Sequence, residues 1–155
     1  MITYPNGVTL YNAETLVNVP YETYLDPKTK PKVKDGVIWI NLDDSVAFQN
    51  GLTLLETLDL HPLVLEQAQE QDRRPSLAQF GNDLLVIGKM MYYADEELIF
   101  EQVSLIFRKD MVITVGTYAG DVFDPIRKRL ENPDDPLRDQ GADYLVYALL
   151  DRLVD

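Results

Sequence analysis

The segment Met111-Val112-Ile113-Thr114-Val115 limits what this chain can become more than any other. It is apolar at odd and even positions alike, so a strand built from it hides both of its faces from water. The sheet that contains it therefore needs a cover on each side, and helices are the simplest cover. The segment also closes a meander. A strand over Leu84 to Tyr93 turns at Ala94-Asp95-Glu96-Glu97, and a second runs from Leu98 to Phe107. After a turn at Arg108-Lys109-Asp110, a third spans Met111 to Thr117. Connections this short join antiparallel neighbours. The fold class expected is α/β (α+β mixed), a central antiparallel meander flanked by helices.

The covers can be placed from their punctuation. Gly36 and Asp43-Asp44 bound a further strand, Val37 to Leu42, and Asp44 or Ser45 is positioned to cap the helix after it. Phe48, Leu52 and Leu55 share one face of that helix, and Gly51 is expected to weaken it. Pro62 suits the first turn of a helix reaching about Gln71, where its missing amide costs nothing, with His61 before it as a capping or packing residue. Asp124-Pro125 and Asp135-Pro136 each give the same start signal. The first is expected to open a helix through Glu131, with Asp124 as its cap. The second is expected to open a longer helix through Leu150, apolar nearly all round and so needing neighbours on more than one side. Leu149 to Asp155 holds no glycine, proline or other stop signal, so this helix is expected to continue past Asp155. Val8-Thr9-Leu10-Tyr11 and Thr15 to Val19 read as short strands. Pro27 to Lys34, with two prolines and four lysines, reads as an exposed loop.

Composition removes several function classes. Fourteen basic against twenty-six acidic residues give a net charge of −12, a field that repels phosphates and anionic lipid and attracts cations. Tyr92, Tyr93, Tyr144 and Tyr147 have no basic stripe beside them, so they read as core-edge residues rather than a base-stacking surface. The absence of cysteine rules out disulfides, thiolate zinc sites and cysteine nucleophiles. His61 is the only histidine, too few for an ordinary zinc cluster. There is no phosphate-cradling glycine loop and no Gly-x-Ser-x-Gly elbow. No apolar run of eighteen residues exists, and Met1 to Asn6 has none of the features of a secretory signal.

Six segments in order carry a family resemblance. They are Trp39-Ile40-Asn41-Leu42; Leu60-His61-Pro62-Leu63-Val64-Leu65-Glu66 with Arg74-Pro75; Lys89-Met90; Glu101-Gln102-Val103-Ser104-Leu105; Gly120-Asp121-Val122-Phe123-Asp124-Pro125-Ile126-Arg127; and Ala142-Asp143-Tyr144-Leu145-Val146-Tyr147-Ala148-Leu149-Leu150-Asp151. At these spacings the chain resembles the N-terminal cytosolic domain of CorA family magnesium/cobalt transporters, from about Val37 to Asp155. The resemblance implies a mixed β-sheet flanked by helices over residues 36–155, leading into a long helix, with residues 1–35 as a variable segment packed on the domain or leading into it. It also implies a homopentamer in the cell membrane, with this part on the cytoplasmic side. Two membrane helices and a Gly-Met-Asn pore signature are expected elsewhere in the protein, so this stretch conducts no ions by itself.

The site residues follow from the resemblance. In the family, regulatory magnesium sits between neighbouring subunits. On one side is a Glu-Asp pair that ends the His-Pro-Leu-Val-Leu helix, and on the other are aspartates of the last helix and its continuation. Glu66 matches the glutamate and Asp151 the first aspartate, while Gln67 stands where the second acidic residue is expected. Magnesium takes oxygen ligands, keeps most of its waters and uses only one or two carboxylates. Gln67 retains a carbonyl oxygen but loses a charge, so weaker or water-mediated binding is expected. Asp143, Tyr147, Asp151 and Asp155 form one row of the last helix, and of these only Asp151 is taken as a ligand. The cation implied is Mg2+, with Co2+ or another divalent ion as alternatives. The function implied is cation sensing that gates a pore, with no enzymatic activity. Two other readings stay open: a stand-alone acidic interaction module of the same fold, favoured by Gln67, and a metal-dependent hydrolase using Asp121 or Asp151.

Overall fold

The computed structural model describes residues 4–43, 45–70, 73–116 and 122–154. Asp44, Thr117, Gly120, Asp121 and Asp155 lie outside the described residues. Seven strands form one sheet in the order β2-β1-β3-β7-β6-β5-β4. They are β1 (Val8–Tyr11), β2 (Leu16–Val19), β3 (Val37–Leu42), β4 (Ser76–Phe80), β5 (Asp83–Ala94), β6 (Glu97–Arg108) and β7 (Met111–Gly116). All neighbours are antiparallel except β3 and β7, which pair in parallel through Trp39↔Val112 and Asn41↔Thr114. That one parallel pair makes the sheet mixed. The meander lies where its short turns put it.

Val112, Ile113, Thr114 and Val115 are all buried, because β7 sits mid-sheet with a layer on each side. One face carries α1 (Tyr21–Leu25), α2 (Ser45–Glu56) and α3 (Pro62–Gln69). Tyr24, Phe48, Leu54, Leu55 and Val64 pack there on Ile40, Leu85, Ile87 and Ile113. The other face carries α4 (Asp124–Glu131), a 3-10 helix (Pro136–Asp139) and α5 (Ala142–Val154). Ile126, Leu130, Leu137, Leu145 and Leu149 pack there on Trp39, Val103, Leu105 and Val112. The molecule is thus a three-layer α/β/α sandwich. Among the described residues no helix is long and apolar enough to cross a membrane.

Gly51 gains a packing reason, and three local expectations need correction. Gly51 lies inside α2, yet a Cβ there would stand 2.5 Å from Leu42 Cδ2; the glycine lets the helix backbone settle on the fully buried Leu42. Asp124 caps nothing with its side chain; it lies in the first turn of α4 and pairs with Lys128 at 3.1 Å. The helix expected from Pro136 onward is two elements. Asp135 does cap, its Oδ1 accepting from Leu137 N at 2.9 Å, but it caps the 3-10 helix, and Gln140-Gly141 separates that from α5. Tyr93 and Tyr147 are well exposed rather than at the core edge. The pattern also gave no sign of α1 or β4, both five residues long.

Candidate metal site

α3 is fixed at both ends and along its buried side. His61 Nδ1 accepts from Leu63 N at 3.2 Å, and the imidazole stacks on Phe80 with centroids 5.5 Å apart. His61 therefore both caps and packs. Val64 and Ala68 face the sheet, and Ser104 Oγ donates to Ala68 O at 3.0 Å. Past the last turn, Gln102 Nε2 donates to Glu70 O, and its Oε1 accepts from Arg73 N. With those positions anchored, the 3.6-residue period places Glu66 on the outer side, exposed, and Gln67 at the rim, half-buried. Glu70 is engaged with Arg73 at 2.8 Å.

α5 is held in the same manner on the opposite face of the sheet. Leu145, Ala148, Leu149 and Leu153 are buried, and Arg152 Nε donates to Val122 O at 3.1 Å. Asp143, Tyr147 and Asp151 form the outward row, all exposed. Asp143 Oδ1 accepts from Tyr144 N at 2.9 Å.

Glu66 and Gln67 are therefore on one face of the molecule and Asp151 on the other, with the sheet between them. The structure brings Glu66 and Gln67 together but keeps Asp151 from both. Among the described residues no group of three or more His, Cys, Asp or Glu is placed to hold a metal ion. An ion contacting both Glu66 and Asp151 must take them from two different copies of the chain. Glu66 is exposed on the α3 side and Asp151 on the α5 side, and one or two carboxylates suffice for an ion that keeps most of its own waters.

Two polar constellations escaped the sequence reading. In the first, Trp39 Nε1 donates to Thr114 Oγ1 at 2.9 Å, Thr114 Oγ1 donates to Asn41 Oδ1, and Asn41 Nδ2 donates to Asp43 Oδ1 at 2.9 Å. Arg127 of α4 lies over the Trp39 ring at 5.2 Å. Burial pulls its guanidinium pKa down, and the Asp43 charge opposes that shift. This network ties β3, β7 and α4 together at the one parallel pairing. In the second, Arg108 grips the buried Asp83 carboxylate through Nε and Nη2 and donates to the carbonyls of Leu58 and Asp59. That clamp lines an open polar hollow with Asn82 and Lys109. Asp59 lines it as well.

Comparison with known proteins places this arrangement. A family described as CorA-like Mg2+ transporter protein matches residues 34–155. The cobalt/magnesium transport protein CorA of Thermotoga maritima is 39% identical over 119 residues, which are 76% of this chain and 34% of that protein. The chain thus spans about a third of that relative's length. The complete CorA magnesium transporter from Methanocaldococcus jannaschii aligns with 99% of this chain and 45% of its own, with a TM-score of 0.71 at 13% identity. The ZntB cytoplasmic domain from Vibrio parahaemolyticus aligns with 97% of this chain and 58% of its own, with a TM-score of 0.67 at 11% identity. At such identities the solved structures speak for the fold, and the Thermotoga maritima protein and the family match speak for descent.

Proposed function

The chain belongs to the CorA-like Mg2+ transporter family, and from that premise we propose that it is the cytoplasmic, divalent-cation-sensing part of a magnesium transporter. In this proposal residues 36–155 are the family domain and residues 1–35 its variable segment, which here adds β1 and β2 to the sheet. The domain is a sensor without enzymatic activity. Magnesium, or cobalt in its place, bridges Glu66 of one copy and Asp151 of the next, with Gln67 Oε1 supplying a neutral contact, direct or through a bound water. Full-length copies assemble as a pentamer in the cell membrane.

The observation that carries the proposal is the placement of Glu66 and Asp151 on opposite outer faces of a single sheet, each exposed. A ligand pair divided in this way is of no use inside one copy and suits a bridge between copies. Each copy carries a net charge of −12, so neighbouring copies repel until cations screen or bridge them. Magnesium that binds the closed arrangement more tightly than the open one shifts the population toward closed, and its loss shifts it back. Gln67 leaves the site one charge short, so half-saturation falls at a higher magnesium concentration than with an acidic residue there.

Sedimentation of the chain at high protein concentration, titrated with magnesium, tests this. Association should rise with magnesium, and EDTA should return it to its metal-free level. Asp151→Asn should move the midpoint up by about tenfold or more, the loss of one of two charged ligands, and Gln67→Asp should move it down. Identical titrations for all three proteins would remove Gln67 and Asp151 from the bridging role and favour the stand-alone interaction module.

A further inference from the structure

The meander contains a second surface that the metal bridge does not use. β5 and β6 pair over their full length, from Leu84↔Phe107 to Ala94↔Glu97. β4 reaches only Ile87 and β7 only Val103. Beyond those points Gly88–Ala94 and Glu97–Gln102 project as a two-stranded ribbon, an element that is marginal in water when alone. Met91 faces Phe100 across the ribbon and Tyr93 faces Leu98, so all four side chains lie on one face. They are 62%, 55%, 79% and 45% exposed. Four of the seven exposed large hydrophobic residues among those described are on this one face, and such clustering marks a contact surface. It continues the face that α3 covers and begins where Gln102 meets Glu70 O.

The rim of the patch indicates its occupant. Asp95, Glu96 and Glu97 stand exposed at the tip, and none has an ion-pair partner among the described residues. A partner must therefore be basic as well as able to cover apolar surface. The chain has such a segment. Lys28, Lys30, Lys32 and Lys34 alternate with Thr29, Pro31 and Val33, with no acid among them. All four lysines are exposed, and none has an ion pair among the described residues. Lys30 already lies over an aromatic ring, that of Tyr24, at 4.6 Å. The loop is tied down where Asn12 Nδ2 donates to Lys34 O, beside the start of β3. That position is three strands across the sheet from β5 and at the opposite end of the strands from the ribbon tip. At roughly 4.8 Å per strand and 3.4 Å per residue, the two surfaces are on the order of 40 Å apart. They cannot meet within one copy.

We infer that the apolar face and acidic tip of the β5–β6 ribbon dock on the lysine loop, residues 28–34, of a second copy of this chain. The contact is head-to-tail, since the two surfaces differ, so it propagates from copy to copy and forms a ring where the rotation closes. Lysine stems and Pro31 cover the aromatic rings while the ammonium groups meet Asp95, Glu96 and Glu97. It shares with the proposed function only the premise that copies assemble, and it needs no metal.

The chain has no cysteine, so introduced pairs report the contact directly. Single variants Glu96→Cys and Lys32→Cys are mixed in EDTA under mild oxidation, with Glu56→Cys, an exposed site on α2, replacing Glu96→Cys in a control mixture. The mixed E96C–K32C dimer should form at least about tenfold faster than the control, the gain expected of a preformed contact over collision. A chain carrying both substitutions should give a ladder of multimers. Phe100→Ser added to Glu96→Cys should abolish the advantage with an unchanged far-ultraviolet spectrum. E96C pairing with itself as fast as with K32C, or no advantage over the control, would overturn the contact. Because EDTA is present, failure here leaves a magnesium-dependent association untouched, and failure of that association leaves this cross-link untouched.

Discussion

At the scale of single residues, charge pairs at element ends hold the loops between them. Asp135 accepts from Arg129 Nε and Nη2 at 3.1 and 3.0 Å and from Leu137 N. The Arg129 hydrogen bonds lead in holding its carboxyl below the ordinary value of 3.8, with the Leu137 amide adding to them. A carboxylate with a depressed folded pKa contributes stability above its unfolded value and loses it as pH falls through the folded one. Asp135→Asn keeps a cap acceptor but removes the charge. It should cost less than about 1 kcal/mol at pH 7, since Arg129 is partly exposed, and it should flatten the fall in stability below pH 3.8. Urea melts at several acid pH values check this; a variant as steep as the parent would contradict it. His61-Pro62 was readable because a cap and its target are two residues apart. The Asp83–Arg108 clamp was within reach too, since counting back from the Ala94–Glu97 turn sets those residues opposite. Asp124 misled because Asp-Pro marks a helix start without saying which residue's side chain makes the cap.

At the scale of elements, the periodic pattern located what is long or sharply punctuated and missed what is short. The three meander strands and α3 follow from alternation, turns and Pro62. α1 and β4 have too few residues for a period to show, and tertiary contacts hold them: Tyr21 Oη donates to Asn41 O, and β4 pairs along β5. The parallel β3–β7 pairing, which makes the sheet mixed, depends on partners more than seventy residues apart, such as Trp39 and Thr114. No local pattern encodes that. α2 makes the same point at Gly51, where helix propensity and packing disagree. Gly51→Ala should gain up to about 1 kcal/mol of helix propensity. It also drives a methyl group into the buried Leu42, an overpacking cost of about 1–3 kcal/mol. Packing should prevail, so Gly51→Ala should lower the urea midpoint. A higher midpoint would mean that Leu42 swings aside freely.

At the scale of the whole molecule, the three layers turn a row of acids into something with direction. The sheet holds α3 on one side and α5 on the other, so Glu66 and Asp151 face apart and each copy has two unlike sides. Family resemblance supplied the candidate residues; the sequence alone gave Asp151 no distinction from any solvated aspartate on a helix. That they lie on opposite faces came only from the fold, because sidedness depends on where each helix crosses the sheet. Two unlike sides suit the proposed head-to-tail assembly, in which magnesium would bridge an α3 side to an α5 side. Mixing two crippled variants tests that most directly. Glu66→Gln lacks one half of every bridge and Asp151→Asn lacks the other, so at the magnesium concentration of the parent's midpoint each alone should associate far less than the parent. In an equal mixture, Glu66 of the D151N copy meets Asp151 of the E66Q copy, and magnesium-dependent association should return for that pairing. A mixture that sediments no faster than either variant alone, while the parent associates, would contradict a bridge between copies.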